Sequence, residues 1–442
     1  MNHDVKDPVA QIARAVAFAA ALLASGGPGT TGAVGPDAPD PRYPRYEEVR
    51  ARLEAWEREH PEIVRRETIG RTVRGAPILA VRISDHPDVD EPEPALLLHG
   101  AQHANEVNGT LAILEMGDRI LERYGTDPRV TAFVDGLEIW CIPVVNVDGY
   151  RHVFSGAPGW MEWRKNLRDN DHDGRFDPAR DGVDLNRNWD YRWSEYPRDD
   201  PTDRMYKGPS PFSEPETVAL RDLILRETPL IVVDFHSPGS KTLPNMIFWP
   251  WHDRARGRDG PDAPHYRPIT QEMARRIPTE ADTVTMNGDW YSYDTLPKEQ
   301  CWIYKTTGAC ALLAEISSGF WWEGAIVDSI AARVARGSFA LLERALDGPG
   351  LTARVTDAET GLPLVAEVVV AEAHDSRIGP RRTDPRHGRY WRLLEPGTYR
   401  VTIRAAGRCP VSRTVDVGDA GWTRFDAALE APRPERTTRR KR

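Results

Sequence analysis

Three residues along the chain could form a hydrolytic zinc site. His103 and Glu106 are three positions apart, so one turn of chain brings an imidazole and a carboxylate to the same side. His236 follows the apolar run LIVVDF and would stand at the end of a buried strand. Two histidines and one glutamate leave a fourth position for water, as in hydrolytic zinc enzymes. A His-x-x-Glu spacing alone is a weak signal, so the prediction depends on its surroundings.

A further carboxylate stands at the end of another apolar run. Glu315 follows ALLA, where burial of its charge is costly unless a partner or a cation lies nearby. Taken singly, these residues have ordinary structural interpretations, such as a helix-start carboxylate, a histidine at the edge of the core or a loop ion pair. Taken together at matching strand ends, they favour a metal-dependent active site.

Strand-like and helical patterns alternate around these residues. Apolar strand-like runs occur at Ile78–Ile83, Ala95–Leu98, Leu137–Val144, Leu230–Phe235 and Ala311–Ile316. Helical spacing of apolar residues occurs at Tyr46, Val49, Leu53 and Trp56 before Pro61, and over Glu106–Tyr124, Glu214–Arg226 and Ala325–Leu346. Continuous apolar runs indicate strands covered on both faces, so we predict an α/β fold with a mixed central sheet and helices on both faces. Ligands of such sheets bind beyond the strand ends.

The pattern changes after Gly348 to short alternating strands separated by turn residues, which predicts a small all-β sandwich. Before the α/β region, the apolar run Ala15–Ala24 between basic and small residues is typical of a secretory signal. It predicts secretion or export, with a cytoplasmic leader as the alternative. The predicted organisation is a leader (1–27), a linker (28–42), the α/β domain (43–348), the sandwich (349–430) and a basic disordered tail (431–442).

Composition excludes some classes of function. The net charge of -9 gives no basic field for nucleic acid or an anionic membrane. No apolar run is long enough for a transmembrane segment. Four cysteines without a CxxC pair argue against a disulfide scaffold or a cysteine zinc site, although a bridge between Cys301 and Cys310 stays open.

Seven sequence blocks between residues 43 and 346 resemble the zinc carboxypeptidases of the A and B type. The blocks are HGAQHANE (99–106), PVVNVDGY (143–150), WRKN (163–166), DLNRNWD (184–190), YKGPSPFSEPET (206–217), DFHS (234–237) and ALLAEI (311–316). The resemblance implies one zinc ion per chain, bound by His103, Glu106 and His236. It also implies that the substrates are the C-termini of peptides or proteins.

The resemblance also implies catalytic and orienting roles for three residues. Asp184 matches the carboxylate that orients a zinc-binding histidine. Arg164 resembles the arginine that stabilises the oxyanion. Glu315 resembles the glutamate that takes a proton from the attacking water and returns it to the leaving amine.

Substrate-binding positions follow from the same resemblance. Asn186 and Arg187 match the pair that grips the terminal carboxylate, a task suited to a guanidinium fork. Tyr293 matches the tyrosine that covers the bound C-terminus, with Tyr291 as the alternative. Gln300 occupies the position that helps to separate hydrophobic from basic specificity.

Glutamine at position 300 resembles the regulatory carboxypeptidases of the N and E type. These also carry a transthyretin-like sandwich, which residues 351–429 resemble. However, His252 stands where their pocket aspartate is expected, so a preference for basic residues does not follow.

Two other departures from the digestive enzymes stand out. Asn105 replaces a usual arginine, which puts the outer-subsite contacts in doubt but not the metal. An acidic segment between Arg164 and Asn186 has the front half of a calcium loop, with Asp169, Asp171, Asp173 and Asp177 as candidate ligands. Arg180 takes the place of the bidentate glutamate that ends such a loop, so the segment predicts either a calcium site or an exposed acidic turn.

Two alternative functions stay open at this point. The same scaffold could hydrolyse another amide, such as a γ-linked glutamate, a cell-wall peptide or a small amide. An inactive pseudo-peptidase could bind C-termini without cleaving them, although none of the implied zinc or base residues is missing. A serine hydrolase is poorly supported, because the chain contains no GxSxG motif.

Overall fold

The computed structural model describes residues 38–156, 159–237, 245–253, 255–279, 285–293 and 296–432. From Ala38 onward the chain clusters into one unit. The predicted leader and most of the basic tail lie outside the described residues, so secretion or export stays a prediction. The predicted domain boundaries at residues 43, 348 and 430 also stay predictions.

The α/β region is built from alternating helices and strands. The helices are α1 (Tyr46–Glu59), α2 (Asn108–Arg123), α3 (Pro128–Val134), α4 (Val147–Val153), α5 (Pro215–Glu227), α6 (Ala263–Arg275), α7 (Glu299–Thr307) and α8 (Ala325–Asp347). The strands are β1 (Val64–Arg71), β2 (Pro77–Ile83), β3 (Ala95–Gly100), β4 (Glu138–Ile142), β5 (Ile231–His236), β6 (Met246–Asp253), β7 (Arg258–Asp259), β8 (Asn287–Tyr293) and β9 (Cys310–Glu315).

These strands form one mixed sheet in the described part of the chain. Its order is β1–β2–β4–β3–β5–β9–β6–β7, and β8 pairs with β6. The strands β4, β3, β5 and β9 run parallel, whereas β6 is antiparallel to β9. Every residue of β3, β4 and β5 is buried, as expected for strands covered on both faces. The predicted fold class is confirmed.

The apolar patterns locate the central elements correctly but miss part of the sheet. The first helix buries Tyr46, Val49, Leu53 and Trp56, as its spacing predicts. Strands β1, β6, β7 and β8 were not predicted. Pro250 lies within β6, and proline normally argues against a strand that needs its backbone donor.

Parallel pairing brings the candidate site residues to one edge of the sheet. In register, His99 on β3 pairs with Asp234 on β5, and His236 on β5 pairs with Glu315 on β9. The carboxyl ends of β3, β5 and β9 therefore meet where the chain leaves the sheet.

The C-terminal region is all-β apart from one short turn of helix, as predicted. Its strands are β10 (Gly350–Asp357), β11 (Glu367–Val370), β12 (Arg389–Leu393), β13 (Gly397–Arg404), β14 (Val411–Val417), β15 (Trp422–Arg424) and β16 (Ala427–Leu429). They form two sheets around a separate apolar core that includes Leu351, Val401 and Phe425.

The four cysteines are free thiols. The bridge left open between Cys301 and Cys310 is therefore not formed, and both thiols are buried. Among the described helices, none combines the length and the apolar character needed to cross a bilayer.

Asp262 joins the α/β region to the sandwich. Its buried carboxylate pairs with Arg381 and with Arg392, the latter at 2.8 Å, and accepts a hydrogen bond of 2.8 Å from the Tyr304 hydroxyl. Burial alone would raise the pKa of Asp262, but the two guanidinium groups lower it below its usual value. One ionised carboxylate therefore holds two guanidinium groups of the sandwich at this junction.

Substitution of Asp262 by Asn should destabilise the protein strongly. The two guanidinium groups would keep their buried position without a counter-charge, so we expect the free energy of unfolding to fall by about 3–5 kcal/mol. Urea unfolding measures this change. The control is Asp347→Asn, which breaks an exposed pair with Arg129 and should cost about 0–1 kcal/mol. Equal effects of the two substitutions would contradict this role for Asp262.

His265 should make the same junction sensitive to acid. Its Nδ1 accepts the Glu395 backbone N–H at 3.0 Å, and burial lowers the pKa of His265 to about 4. The unfolded imidazole titrates near pH 6.5, so below that pH the unfolded state binds more protons and stability falls as pH falls toward 4.

We expect the titration of His265 to lower the free energy of unfolding by about 3 kcal/mol between pH 7 and pH 4, at about 1.4 kcal/mol per pKa unit. Urea unfolding over this pH range should show a smaller loss for His265→Asn than for the wild type. The exposed His374 provides the control, because His374→Asn should leave the pH profile unchanged. Parallel profiles for the wild type and His265→Asn would refute the assignment.

Candidate active site

His103, Glu106 and His236 converge beyond the sheet edge. One possible ligand atom from each lies within 4.8 Å of the others, and all three residues are buried. The Nδ1 atom of His103 lies 3.0 Å from Glu106 Oε1, and the Nδ1 atom of His236 lies 2.7 Å from Glu106 Oε2. Glu106 Oε2 also accepts the Ser237 backbone N–H at 3.0 Å. Both imidazoles thus direct Nδ1 toward one shared carboxylate.

The surroundings of this triad suit a bound cation. The second ring nitrogen of His103 lies 3.2 Å from Asp184 Oδ1, and that of His236 contacts Asp234 Oδ2. A carboxylate on the far nitrogen fixes the ring orientation of a metal-binding histidine and raises its basicity. Burial alone would raise the pKa of Glu106, but the two imidazoles hold it well below its usual range. The donor set and its charges therefore fit a zinc ion.

Arg164 lies directly beside the triad. Its Nη1 donates to Glu106 Oε1 at 3.2 Å and its Nε donates to Asp184 Oδ2 at 2.9 Å. Two carboxylates hold the guanidinium in one orientation, with its side chain 14% exposed. The guanidinium is therefore partly exposed beside the triad and can stabilise negative charge that develops there.

Glu315 lies at the same sheet edge, and its side chain is partly buried. Its Oε2 atom is buried and has no hydrogen-bond partner among the described residues. Burial, reinforced by the negative charge of Glu106, raises the pKa of Glu315 to about 7. A carboxylate with this pKa can accept and return a proton near neutral pH.

Asn186 and Arg187 lie on a short helical turn (Leu185–Arg187) next to the triad. The amide of Asn186 lies 3.3 Å from His236 Nε2. Arg187 contacts the Tyr196 hydroxyl at 3.3 Å, the Asn186 carbonyl at 2.6 Å and the Met205 sulfur at 3.9 Å. These acceptors are neutral, so the buried guanidinium lacks a carboxylate partner in the described part of the chain.

The remaining predicted substrate residues lie on neighbouring elements. Tyr293 is the last residue of β8 and pairs in register with His252 on β6. His252 is partly buried, and its Nδ1 lies 2.7 Å from Asp259 Oδ1. Gln300 is buried in α7. Asp253 binds Arg256 at 2.8 Å and Arg377 of the sandwich.

A second buried layer of charge lies behind the triad and was not predicted from the sequence. The Nδ1 atom of His99 lies 3.4 Å from Asp234 Oδ1, and its Nε2 lies 2.8 Å from Glu299 Oε1. Gln102 donates to Glu299 Oε2 at 2.5 Å. The signal for Asp234 was available, because a carboxylate within the run LIVVDF needs a buried partner. No local pattern indicates that Glu299 meets His99.

The acidic segment does not arrange its side chains as the calcium-loop pattern predicts. Asp169 and Asp171 converge with Asp181 rather than with the other two candidates. The carboxylates of Asp173 and Asp177 instead accept the backbone N–H groups of Arg175 and Ala179, at 2.7 and 2.9 Å. Calcium binding here stays a prediction.

Replacing Asp184 or Asp234 by Asn should weaken zinc binding. Each amide removes a carboxylate from the far nitrogen of a triad histidine, so we expect the Kd for zinc to rise by about 10- to 100-fold. Competition with a chromogenic chelator measures this Kd.

The two variants provide a cross-check on each other. Asp184 also binds Arg164, whereas no hydrogen bond or salt bridge connects Asp234 to Arg164. An effect of Asp234→Asn therefore acts through the imidazoles alone. The exposed Asp222, replaced by Asn, is the matched control. A zinc Kd within twofold of the wild type in both Asp184→Asn and Asp234→Asn would contradict the orienting role.

Sequence comparison finds relatives among known carboxypeptidases. The chain is 26% identical over 402 residues to carboxypeptidase D of Homo sapiens, covering 84% of this chain and 26% of that protein. It is 26% identical over 406 residues to the carboxypeptidase N catalytic chain of Mus musculus, covering 84% of this chain and 82% of that one. The chain therefore spans about a quarter of the length of the carboxypeptidase D proteins.

Solved structures share the fold. Carboxypeptidase A from Helicoverpa armigera superposes with a TM-score of 0.57 at 24% identity, covering 78% of this chain and 82% of that one. Bovine thrombin-activatable fibrinolysis inhibitor, in a complex with tick carboxypeptidase inhibitor, gives 0.56 at 19% identity, covering 69% of this chain and 97% of that one.

Family models divide the chain into two matched regions. Residues 350–430 match the carboxypeptidase regulatory-like domain, and residues 49–321 match the zinc carboxypeptidase model. The family resemblance read from the seven sequence blocks is thereby confirmed. Because the second match covers more than half of the sequence, the chain belongs to the zinc carboxypeptidase family of metallohydrolases.

Proposed function

We propose that this protein is a zinc-dependent carboxypeptidase that hydrolyses the last peptide bond of peptides or proteins. The observation that carries the proposal is the arrangement of Arg187 beside the triad. A buried guanidinium that contacts neutral acceptors alone is ready for an incoming carboxylate, which it can hold with a bidentate fork. Membership of the zinc carboxypeptidase family supports the same activity.

His103, Glu106 and His236 would hold the metal. Zinc bound there would supply a Lewis acid that polarises the peptide carbonyl and lowers the pKa of water. The acidic surroundings provided by Asp184 and Asp234 keep both imidazoles oriented for that task.

The clamp would select the end of the substrate. Arg187 and Asn186 would bind the terminal carboxylate, so that only the last peptide bond reaches the triad and Glu315. Fixing the substrate at its free end supplies proximity and orientation, and it explains an exopeptidase rather than an endopeptidase.

Glu315 would move the proton in this reaction. Its unpaired Oε2 faces no competing donor among the described residues, and its raised pKa matches neutral conditions. It would take a proton from the attacking water and pass it to the departing amine. Arg164, held by Glu106 and Asp184, would stabilise the negative charge on the former carbonyl oxygen.

The test measures free amino acid released from blocked dipeptides that have either a free or an amidated C-terminus. We expect release from the free-carboxylate peptides alone, and a zinc chelator should abolish it. Glu315→Gln should lower kcat by about 10²- to 10⁴-fold while zinc stays bound. Arg187→Gln should lower kcat/KM for the free-carboxylate peptides by about 10- to 100-fold.

The exposed Glu323 gives the matched control, because Glu323→Gln makes the same change of side chain at a carboxylate outside the candidate site residues. Cleavage of amidated or γ-linked peptides instead would favour another amide hydrolase on the same scaffold. Zinc-loaded protein that binds blocked dipeptides without releasing an amino acid would favour a pseudo-peptidase.

A further inference from the structure

Lys298 stands immediately beside the proposed carboxylate clamp. It precedes α7, and the backbone N–H of the next residue, Glu299, donates to Asn186 Oδ1 at 3.0 Å. This bond fixes the start of α7 against the turn that carries Asn186 and Arg187. The position of Lys298 relative to the clamp is therefore set by the backbone.

The ammonium group of Lys298 points over the face of the sheet that carries Glu315. Its Nζ lies 5.6 Å from the centre of the Phe248 ring. Phe248 on β6 pairs in register with Leu313 on β9, and Glu315 lies two positions beyond Leu313 on β9. Because side chains alternate along strands, Phe248 and Glu315 share one face of the sheet.

This ammonium has no carboxylate partner within hydrogen-bond or salt-bridge distance in the described part of the chain. Burial and the like charge of Arg187 lower the pKa of Lys298. Two neighbouring cations without a paired anion are unfavourable alone, and an anionic ligand would relieve both.

The groups around Lys298 mark the two ends of the last substrate residue. Arg187 would hold its terminal carboxylate, whereas Glu315 and Arg164 would flank its peptide bond. Lys298 precedes the residue whose backbone N–H bonds Asn186, and its Nζ lies over Phe248 on the face of the sheet that carries Glu315. It therefore borders the space between the clamp and Glu315, which the side chain of the last substrate residue would occupy. Asp253, the acid next to His252, is already paired with Arg256 and Arg377 and does not supply a negative charge for a basic side chain.

We propose that Lys298 determines specificity by binding a carboxylate side chain, Asp or Glu, on the last residue of the substrate. This inference rests on the proposed carboxypeptidase function. A C-terminal Glu would present two carboxylates to two cations, with its α-carboxylate on Arg187 and its side chain on Lys298. A C-terminal Gln has nearly the same shape but lacks the second charge.

The experiment compares kcat/KM for blocked dipeptides that differ only in a C-terminal Glu, Gln or Lys. We expect the wild type to prefer Glu over Gln by about 10- to 100-fold, the value of a charge-assisted hydrogen bond. Lys298→Met should bring this ratio close to one, and Lys298→Glu should shift the preference toward Lys. The control is Lys305→Met, which removes an exposed ammonium from α7 and should leave the Glu-to-Gln ratio unchanged.

The outcomes separate this inference from the proposed function. Release of Gln at least as fast as Glu by the wild type would overturn the role of Lys298, even if no variant folds. An equal loss on all three substrates in Lys298→Met would also overturn it, because Lys298 would then act on the shared α-carboxylate. Failure of the zinc-loaded wild type to release any residue, both from these three peptides and from the blocked dipeptides that test the proposed function, would instead overturn the carboxypeptidase function on which the inference rests.

Discussion

The carboxylate of Glu106 is the interaction on which the site depends. It faces both imidazoles of the triad, Arg164 and the Ser237 backbone N–H, and it is almost completely buried. A buried charge with this many partners is stable only while all of them keep their positions. The ends of β3 and β5, the helix that follows Glu106 and the segment that carries Arg164 are thus tied to one pair of oxygen atoms.

The sheet supplies the rigidity that this arrangement needs. Parallel pairing of β3, β5 and β9 fixes the offset between His99, Asp234, His236 and Glu315 through backbone hydrogen bonds, before any side chain is oriented. The layer of His99, Asp234 and Glu299 then fixes the position of the carboxylate that contacts the second ring nitrogen of His236. A metal-binding histidine on a strand end, backed by a second buried ion pair, has little freedom to rotate.

Site residues with a local sequence signal were predicted, whereas residues whose partners lie far away along the chain were missed. His236 and Glu315 each end an apolar run, so a central sheet predicts where they stand. Glu299 contacts His99 from 200 positions along the chain, and no spacing rule links the two. In the acidic segment a local motif is present, but the carboxylates of Asp173 and Asp177 accept backbone N–H groups of their own turns, so calcium binding there stays a prediction.

The distribution of charge also distinguishes two parts of the site. One part is acidic, with Glu106, Asp184 and Asp234 around the imidazoles, and these carboxylates would compensate a bound cation. The other part, beside the start of α7, is basic, with Arg187 and Lys298 lacking carboxylate partners in the described residues. An anionic substrate terminus would bind at the two cations rather than among the carboxylates around the triad. That separation is what an exopeptidase requires: the free end is bound by charge, and the bond before it is left facing Glu315 and Arg164.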